Sequence, residues 1–329
     1  MHAPDGFLNA GTAVATGAVS VGTIGLALRQ ARDRLGDRRV PLAGIAAAFV
    51  FAAQMINFPV AAGTTGHLIG GALAAVLLGP HMGALVVAVV VVVQAFVFAD
   101  GGITALGYNV LNMAIVPAYG GYAAFTLFRH LLPANAAGVA AATALAGWVS
   151  VVLSAMAFSI EWLFGATAPV SFTEVFVAMV GVHMLIGIGE GLISATTMGT
   201  VLASRPDLVF GARDLDREGL ADRTPVRARA FLIAVMMAAL FLSGIISQFA
   251  ADAPDGLERV AEETGITPGG EVLFRDRSIF ADYATAGIEN ETVGLAVAGI
   301  AGTVIVAAVG WGLLIAVRRR PGDDDPMAA

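Results

Sequence analysis

The sequence predicts an all-α membrane protein, a polytopic helical bundle of about nine transmembrane helices with its amino terminus outside and its carboxyl terminus inside. Three observations predict it. The composition is 57% hydrophobic and 13% charged, where an ordinary soluble domain carries roughly 25% charged residues. Apolar runs long enough to cross about 30 Å of hydrocarbon recur along the whole chain. Arginines collect at alternate ends of those runs, as the positive-inside rule requires.

The runs lie near 9–28, 41–59, 82–99, 103–128, 135–158, 174–203, 230–249 and 293–317, with a shorter one at 68–80. Counting all of them puts Arg29, Arg32, Arg34, Arg38 and Arg39 on one side with Arg129, with Arg205, Arg213, Arg217, Arg223, Arg227 and Arg229, and with Arg318, Arg319 and Arg320. That side is then cytoplasmic. Dropping the short third run would separate the first arginine group from the later ones, so count and charge support each other. The opening "MHAPDGFL" has neither a basic n-region nor a small-residue cleavage site, so the start is expected to be retained.

The Arg-rich stretch 205–229, with Pro206 and Pro225, reads as a cytoplasmic linker between a seven-helix module at 1–204 and a two-helix module at 230–329. An external loop at 250–292 carries ten acids against three arginines. It reads as a solvated face, or as a vestibule that attracts cations. The tripeptide Pro4-Asp5-Gly6 returns as Pro254-Asp255-Gly256, which we read as shared turn chemistry.

Composition also excludes. With no cysteine, thiolate metal sites and disulfides are ruled out, so any metal must bind nitrogen or oxygen. All 18 basic residues are arginine, and without lysine there is no phosphate-binding Walker loop. No basic groove for nucleic acid exists, despite the net charge of -7 being unevenly placed.

Five histidines remain as candidates. His81 and His130 are placed at cytoplasmic helix ends. His183 lies one heptad before Glu190 in the seventh run, so the two share a helical face and form either a proton relay or a structural pair. His2 and His67 are both external, and His67 ends "INFPVAAGTTGH", a stretch of small residues after Asn57 and Pro59 that resembles a re-entrant loop. A histidine at position two can bind metal through the free α-amine, the deprotonated amide of residue 2 and the imidazole, closing small rings in one plane. A second imidazole from His67 would complete a square of nitrogens, the geometry of Ni(II) or Cu(II). In "FADGGITALGYNVLNMA", Asp100, Asn109 and Asn112 either orient those ligands or serve as a cap and helix bridges. The first run carries small residues at helical spacing, suited to close approach of another helix within the chain or on a partner subunit.

Together "MHAPDGFL", "FAAQMINFPVAAGTTGHLIGGALAAVLLGP", "FADGGITALGYNVLNMA" and "HMLIGIGEG" resemble the CbiM/NikM family, the cobalt and nickel substrate-specific components of energy-coupling factor transporters. The resemblance covers about residues 1–205. "PDGLE" at 254–258 is similar to a NikN-like auxiliary module fused to the same chain. The resemblance implies capture of Ni2+ or Co2+, as cargo and with no resident cofactor, by the Met1 amine, the His2 amide and imidazole and the His67 imidazole. It also implies a CbiQ/NikQ-like transmembrane coupling protein and CbiO/NikO-like cytosolic ATPase subunits as partners, with no enzymatic activity in this chain. Ala3 and Thr65 stand where the family pattern suggests a larger aliphatic residue and a serine. Planar geometry and the fused tail favour nickel. The alternative is a proton-coupled secondary transporter working through His183 and Glu190. Neither a zincin signature nor a serine elbow supports an intramembrane enzyme.

Overall fold

Small and β-branched apolar residues dominate the runs, and in the absence of polar side chains to compete for the main chain they close into helices whose ends alternate between two poles. The computed structural model describes residues 1–32, 39–61, 63–215, 226–266, 275 and 278–317. Helix α1 is Ala10–Arg32, α2 Arg39–Gln54, α3 Gly71–Leu78 and α4 Pro80–Val93, continued by a π-helical turn at Gln94–Phe98. Then follow α5, Leu106–Leu131, with a second π-helical turn at Leu111–Ile115, and α6, Ala136–Gly165. The remainder is α7, Phe172–Ser204, α8, Ala228–Gly244, α9, Gly256–Thr264, and α10, Glu291–Val317. The chain is a multi-pass membrane protein: among the described residues, seven helices are long and apolar enough to cross a membrane.

The predicted nine runs do not all become membrane-length helices. The second gives a 16-residue helix and the third only the eight residues of α3, about 12 Å of rise. Between them the chain runs as irregular backbone with a two-residue hairpin, β1 (Phe58–Pro59) against β2 (Thr65–Gly66). Loop and short helix together carry the chain from one pole to the other, where Gly79 turns it at a φ of 94° into α4. Helix α3 folds back so closely on α4 that a Cβ on Gly83 would lie 2.5 Å from the Ala75 nitrogen. Irregular backbone at this depth is tolerable because it is packed inside protein, as Thr65, His67, Leu68 and Ile69 all are.

Packing follows small residues. Gly147 of α6 admits Glu190 of α7, and Gly187 admits the Trp148 main chain. Ser150, Ser154 and Ser159, all buried in α6, return their hydroxyls to carbonyls three or four residues back, so none of the three hydroxyls is stranded. The second module is not separate: α10 lies against α2, with Gly44 facing Ala307 and Trp311. Part of the small-residue stripe on α1 is internal packing, since Gly17 receives Gly107 of α5. The face that carries Val14 and Val21, both above 70% exposed, is bare.

At the pole away from the amino terminus, Arg129 pairs with Asp214 at 2.7 Å and Arg205 with Asp207 at 2.7 Å. His81 lies in the first turn of α4, 2.8 Å from the Tyr119 hydroxyl, and His130 in the last turn of α5. Arg34, Arg38, Arg217, Arg223 and Arg318–Arg320 lie outside the described residues, as do Glu271 and Asp276 of the acidic loop.

Candidate metal centre

Residues 1–9 are threaded into the pole where α4, α6 and α7 present their ends. Asn109 grips Ala3 from both sides of its peptide, accepting from its nitrogen at 3.0 Å and donating to its oxygen at 3.0 Å. Gly102 donates to the same oxygen at 2.9 Å, and a Cβ there would lie 2.2 Å from the Asp5 nitrogen. Only glycine lets the two strands of backbone approach this far. Asp5 accepts from the amide and hydroxyl of Thr104, both at 2.7 Å, so its first role is to tie the amino terminus to the loop before α5. Phe7 is buried against Phe158 and Trp162.

The anchored segment delivers Met1 and His2 beside His67. The Met1 amine is 3.0 Å from His67 Nε2. His67 Nδ1 lies 3.0 Å from the Leu68 carbonyl, which can only accept, so Nδ1 holds the proton and Nε2 offers its lone pair to the amine. The His2 and His67 rings are stacked with centroids 5.5 Å apart, a gap one ion can bridge given metal to imidazole distances of about 2 Å. His2 Nε2 donates to Gln94 Oε1 at 3.0 Å, which in the neutral ring leaves the lone pair on Nδ1, the nitrogen on the side of its own amide. The His2 amide has no acceptor among the described residues. No three His, Asp or Glu side chains among the described residues converge on a common metal position.

Electrostatics keep the imidazoles neutral. Burial and the nearby Met1 ammonium push His67 down to about 3, and burial also lowers His2, partly offset by the Asp100 carboxylate 3.2 Å from its Nδ1. Neutral imidazole is the form that binds metal. Burial would raise the Asp255 carboxyl, but the Met1 ammonium and His67 hold it well below the usual carboxylate range.

The sequence candidates divide. Met1, His2 and His67 converge, Asp100 faces His2, and Asn109 fixes the strand that carries it. Asn112 does not join them: it donates to buried Glu161 at 2.6 Å, bridging α5 and α6. Asn57 contributes its carbonyl, which accepts from Ala251 at 2.9 Å. His183 and Glu190 do not bond to each other. His183 Nδ1 is 2.7 Å from the Met179 oxygen, while Glu190 accepts from the Ile69 and Gly70 amides at 2.6 and 2.9 Å. Glu190 thus clasps the chain two and three residues after His67, with Gln54 donating to the Ile69 oxygen at 2.9 Å.

Three residues at the centre had no signal in their own motifs. Gln94, on the first π-helical turn, holds His2 and donates to the Tyr283 hydroxyl at 3.1 Å. Tyr283 donates to Asp100 at 2.6 Å from a left-handed backbone, φ 59°. Asp255 makes an ion pair with the Met1 amine. Neither half of the reading of loop 250–292 anticipated this contact: part of the loop covers the amino terminus directly. A π-helical turn and a left-handed tyrosine are costly local conformations that mark sites under constraint.

The family model for the cobalt uptake substrate-specific transmembrane region, CbiM, matches residues 2–208. The chain belongs to the CbiM family. A PDGLE domain model matches residues 229–319, behind the CbiM region. Over 98% of this chain and 100% of its own length, the fused nickel transport protein NikMN of Rhodobacter capsulatus is 30% identical. The cobalt transport protein CbiM of Sorangium cellulosum is 34% identical over 64% of this chain and 94% of its own. A crystal structure of a truncated transition metal transporter superposes with a TM-score of 0.56 at 32% identity, covering 61% of this chain and 98% of that one.

Proposed function

We propose that this chain is the metal-capturing membrane subunit of an energy-coupling factor importer for Ni2+ or Co2+, with nickel favoured. The carrying observation is that the Met1 amine, His2 and His67 meet at one pole, 3.0 Å between amine and Nε2, beside a His2 amide that has no acceptor among the described residues. The ion binds the amine, the His2 amide nitrogen, His2 Nδ1 and His67 Nε2 in one plane. A planar nitrogen set suits Ni(II), the ion for which one relative that covers 98% of this chain is named. The site pole faces outward, and residues 1–204, 205–229 and 230–329 form the capturing module, a cytoplasmic linker and the auxiliary module. The bare face of α1 contacts a transmembrane coupling protein, and separate cytosolic subunits hydrolyse ATP, as a chain without lysine requires. The reading is tested by metal content after nickel and cobalt challenge, comparing the chain with its native start against one carrying an extra residue before Met1. Loss of metal in the extended chain is expected. Equal loading in both would overturn the amino-terminal chelate.

A further inference from the structure

The Pro254-Asp255-Gly256-Leu257-Glu258 segment lies on the candidate centre. Asp255 caps α9 and divides its carboxylate between two tasks. Oδ1 accepts from the Leu257 and Glu258 amides at 2.8 and 2.9 Å, while Glu258 returns a bond to the Asp255 nitrogen at 2.9 Å. Oδ2 is turned onto the Met1 amine and lies 3.8 Å from His67 Nε2. The segment is held there by main-chain contacts: Thr65 donates from its nitrogen to the Pro254 oxygen at 2.9 Å and from its hydroxyl to the Ala253 oxygen at 2.8 Å. Gly256 permits the approach, since a Cβ would lie 2.8 Å from His183 Cε1 and from Ile186 Cδ1.

Helix capping alone does not explain a carboxylate here, because asparagine caps about as well as aspartate. Charge does. Without metal, the Asp255 side chain, 13% exposed, faces the single positive charge of the Met1 ammonium. Oδ2 sits on the amine and 3.8 Å from His67 Nε2, so a divalent ion held between those two nitrogens would lie within a few ångströms of a fixed, largely buried negative charge that attracts it. Of the other carboxylates nearby, Asp100 is on the His2 side and is engaged by the Tyr283 hydroxyl, while Glu258 accepts from the Asp255 nitrogen.

We propose that Asp255 is the counter-ion of the metal centre, supplied by the second module, and that it positions the Met1 amine and sets the affinity for the divalent ion without ligating it. This rests on the amino-terminal chelate proposed above.

The test uses the full chain with its native start, purified in detergent and titrated with Ni2+ against a competing chelator. D255N keeps the Oδ1 cap and removes the charge; E258Q alters the same capping box away from the amine. Binding at least tenfold weaker in D255N, with E258Q within twofold of the parent, is expected. At saturating Ni2+ the visible absorption band of D255N should coincide with the parent's, because the nitrogen ligands are unchanged. Parent-like affinity in D255N overturns the counter-ion role and leaves the chelate standing. Equal losses in both variants reduce Asp255 to a cap, and a displaced band would make it a direct ligand. A parent chain that binds no Ni2+ removes the chelate and this inference with it.

Discussion

Glu190 and Ile69 are joined by a carboxylate to main-chain bond of 2.6 Å, between the middle of one long helix and the loop that leads into a short one. The same carboxylate takes the Gly70 amide at 2.9 Å, so a side chain on α7 fixes the backbone that aims His67. Replacing it with alanine leaves two buried donors unpaired, a loss of about 1–3 kcal/mol each. We expect E190A to unfold at lower temperature and to hold less nickel, and E190Q, which keeps one acceptor, to fall between it and the parent. Thermal unfolding with metal content read in parallel checks this. E190Q that melts like the parent yet abolishes uptake would instead favour a proton relay.

Asn109 makes a comparable prediction for the other ligand strand. N109A removes both bonds to Ala3, and each charge-free bond contributes about 1 kcal/mol. Nickel affinity should drop about tenfold, and a spin label near residue 3 should gain mobility in the metal-free protein. An unchanged label spectrum would show that Gly102 and Asp5 suffice to hold the segment.

Proton release offers a measurement independent of any variant. His67, lowered to about 3, is already neutral at ordinary pH and contributes no proton on binding. Deprotonation of the His2 amide should release at least one proton per ion, so apparent affinity rises with pH. Calorimetry in buffers of different ionisation enthalpy reads that number directly. Zero protons would mean that the amino terminus is not a ligand.

Gly256 tests how closely the second module must sit. G256A places a methyl against His183 and Ile186, an overpacking worth about 1–3 kcal/mol. The segment 251–266 should lift, and hydrogen exchange at Thr65 should quicken because its amide loses the Pro254 acceptor. Parent-like exchange at Thr65 would show that the packing can yield.

Long-range assembly explains what the sequence made legible and what it did not. The long helices were readable because apolar length is a local property, and His2 with His67 because chelation chemistry restricts the residue types. The third run misled because "LIGGALAAVLLGP" is apolar enough for a span, while Gly70 and Gly79 at positive φ cut it to eight residues. His183 and Glu190 share a face as their spacing demands, yet each turns to a different main-chain partner that spacing does not reveal. The echo of Pro-Asp-Gly was local turn chemistry in Asp255, which does cap a helix. Its second oxygen reaches a residue 254 positions away, and no turn signature encodes that.

The linker between the two modules now has a thermodynamic meaning. Because α8 and α10 are tethered to the helices they pack on, Asp255 is presented to Met1 at an effective concentration on the order of millimolar, a value typical of short linkers and independent of how much protein the cell makes. Two separate chains would have to find one another by mass action before the amine met its carboxylate. Fusion makes that encounter unimolecular and fixes the stoichiometry at one module per centre.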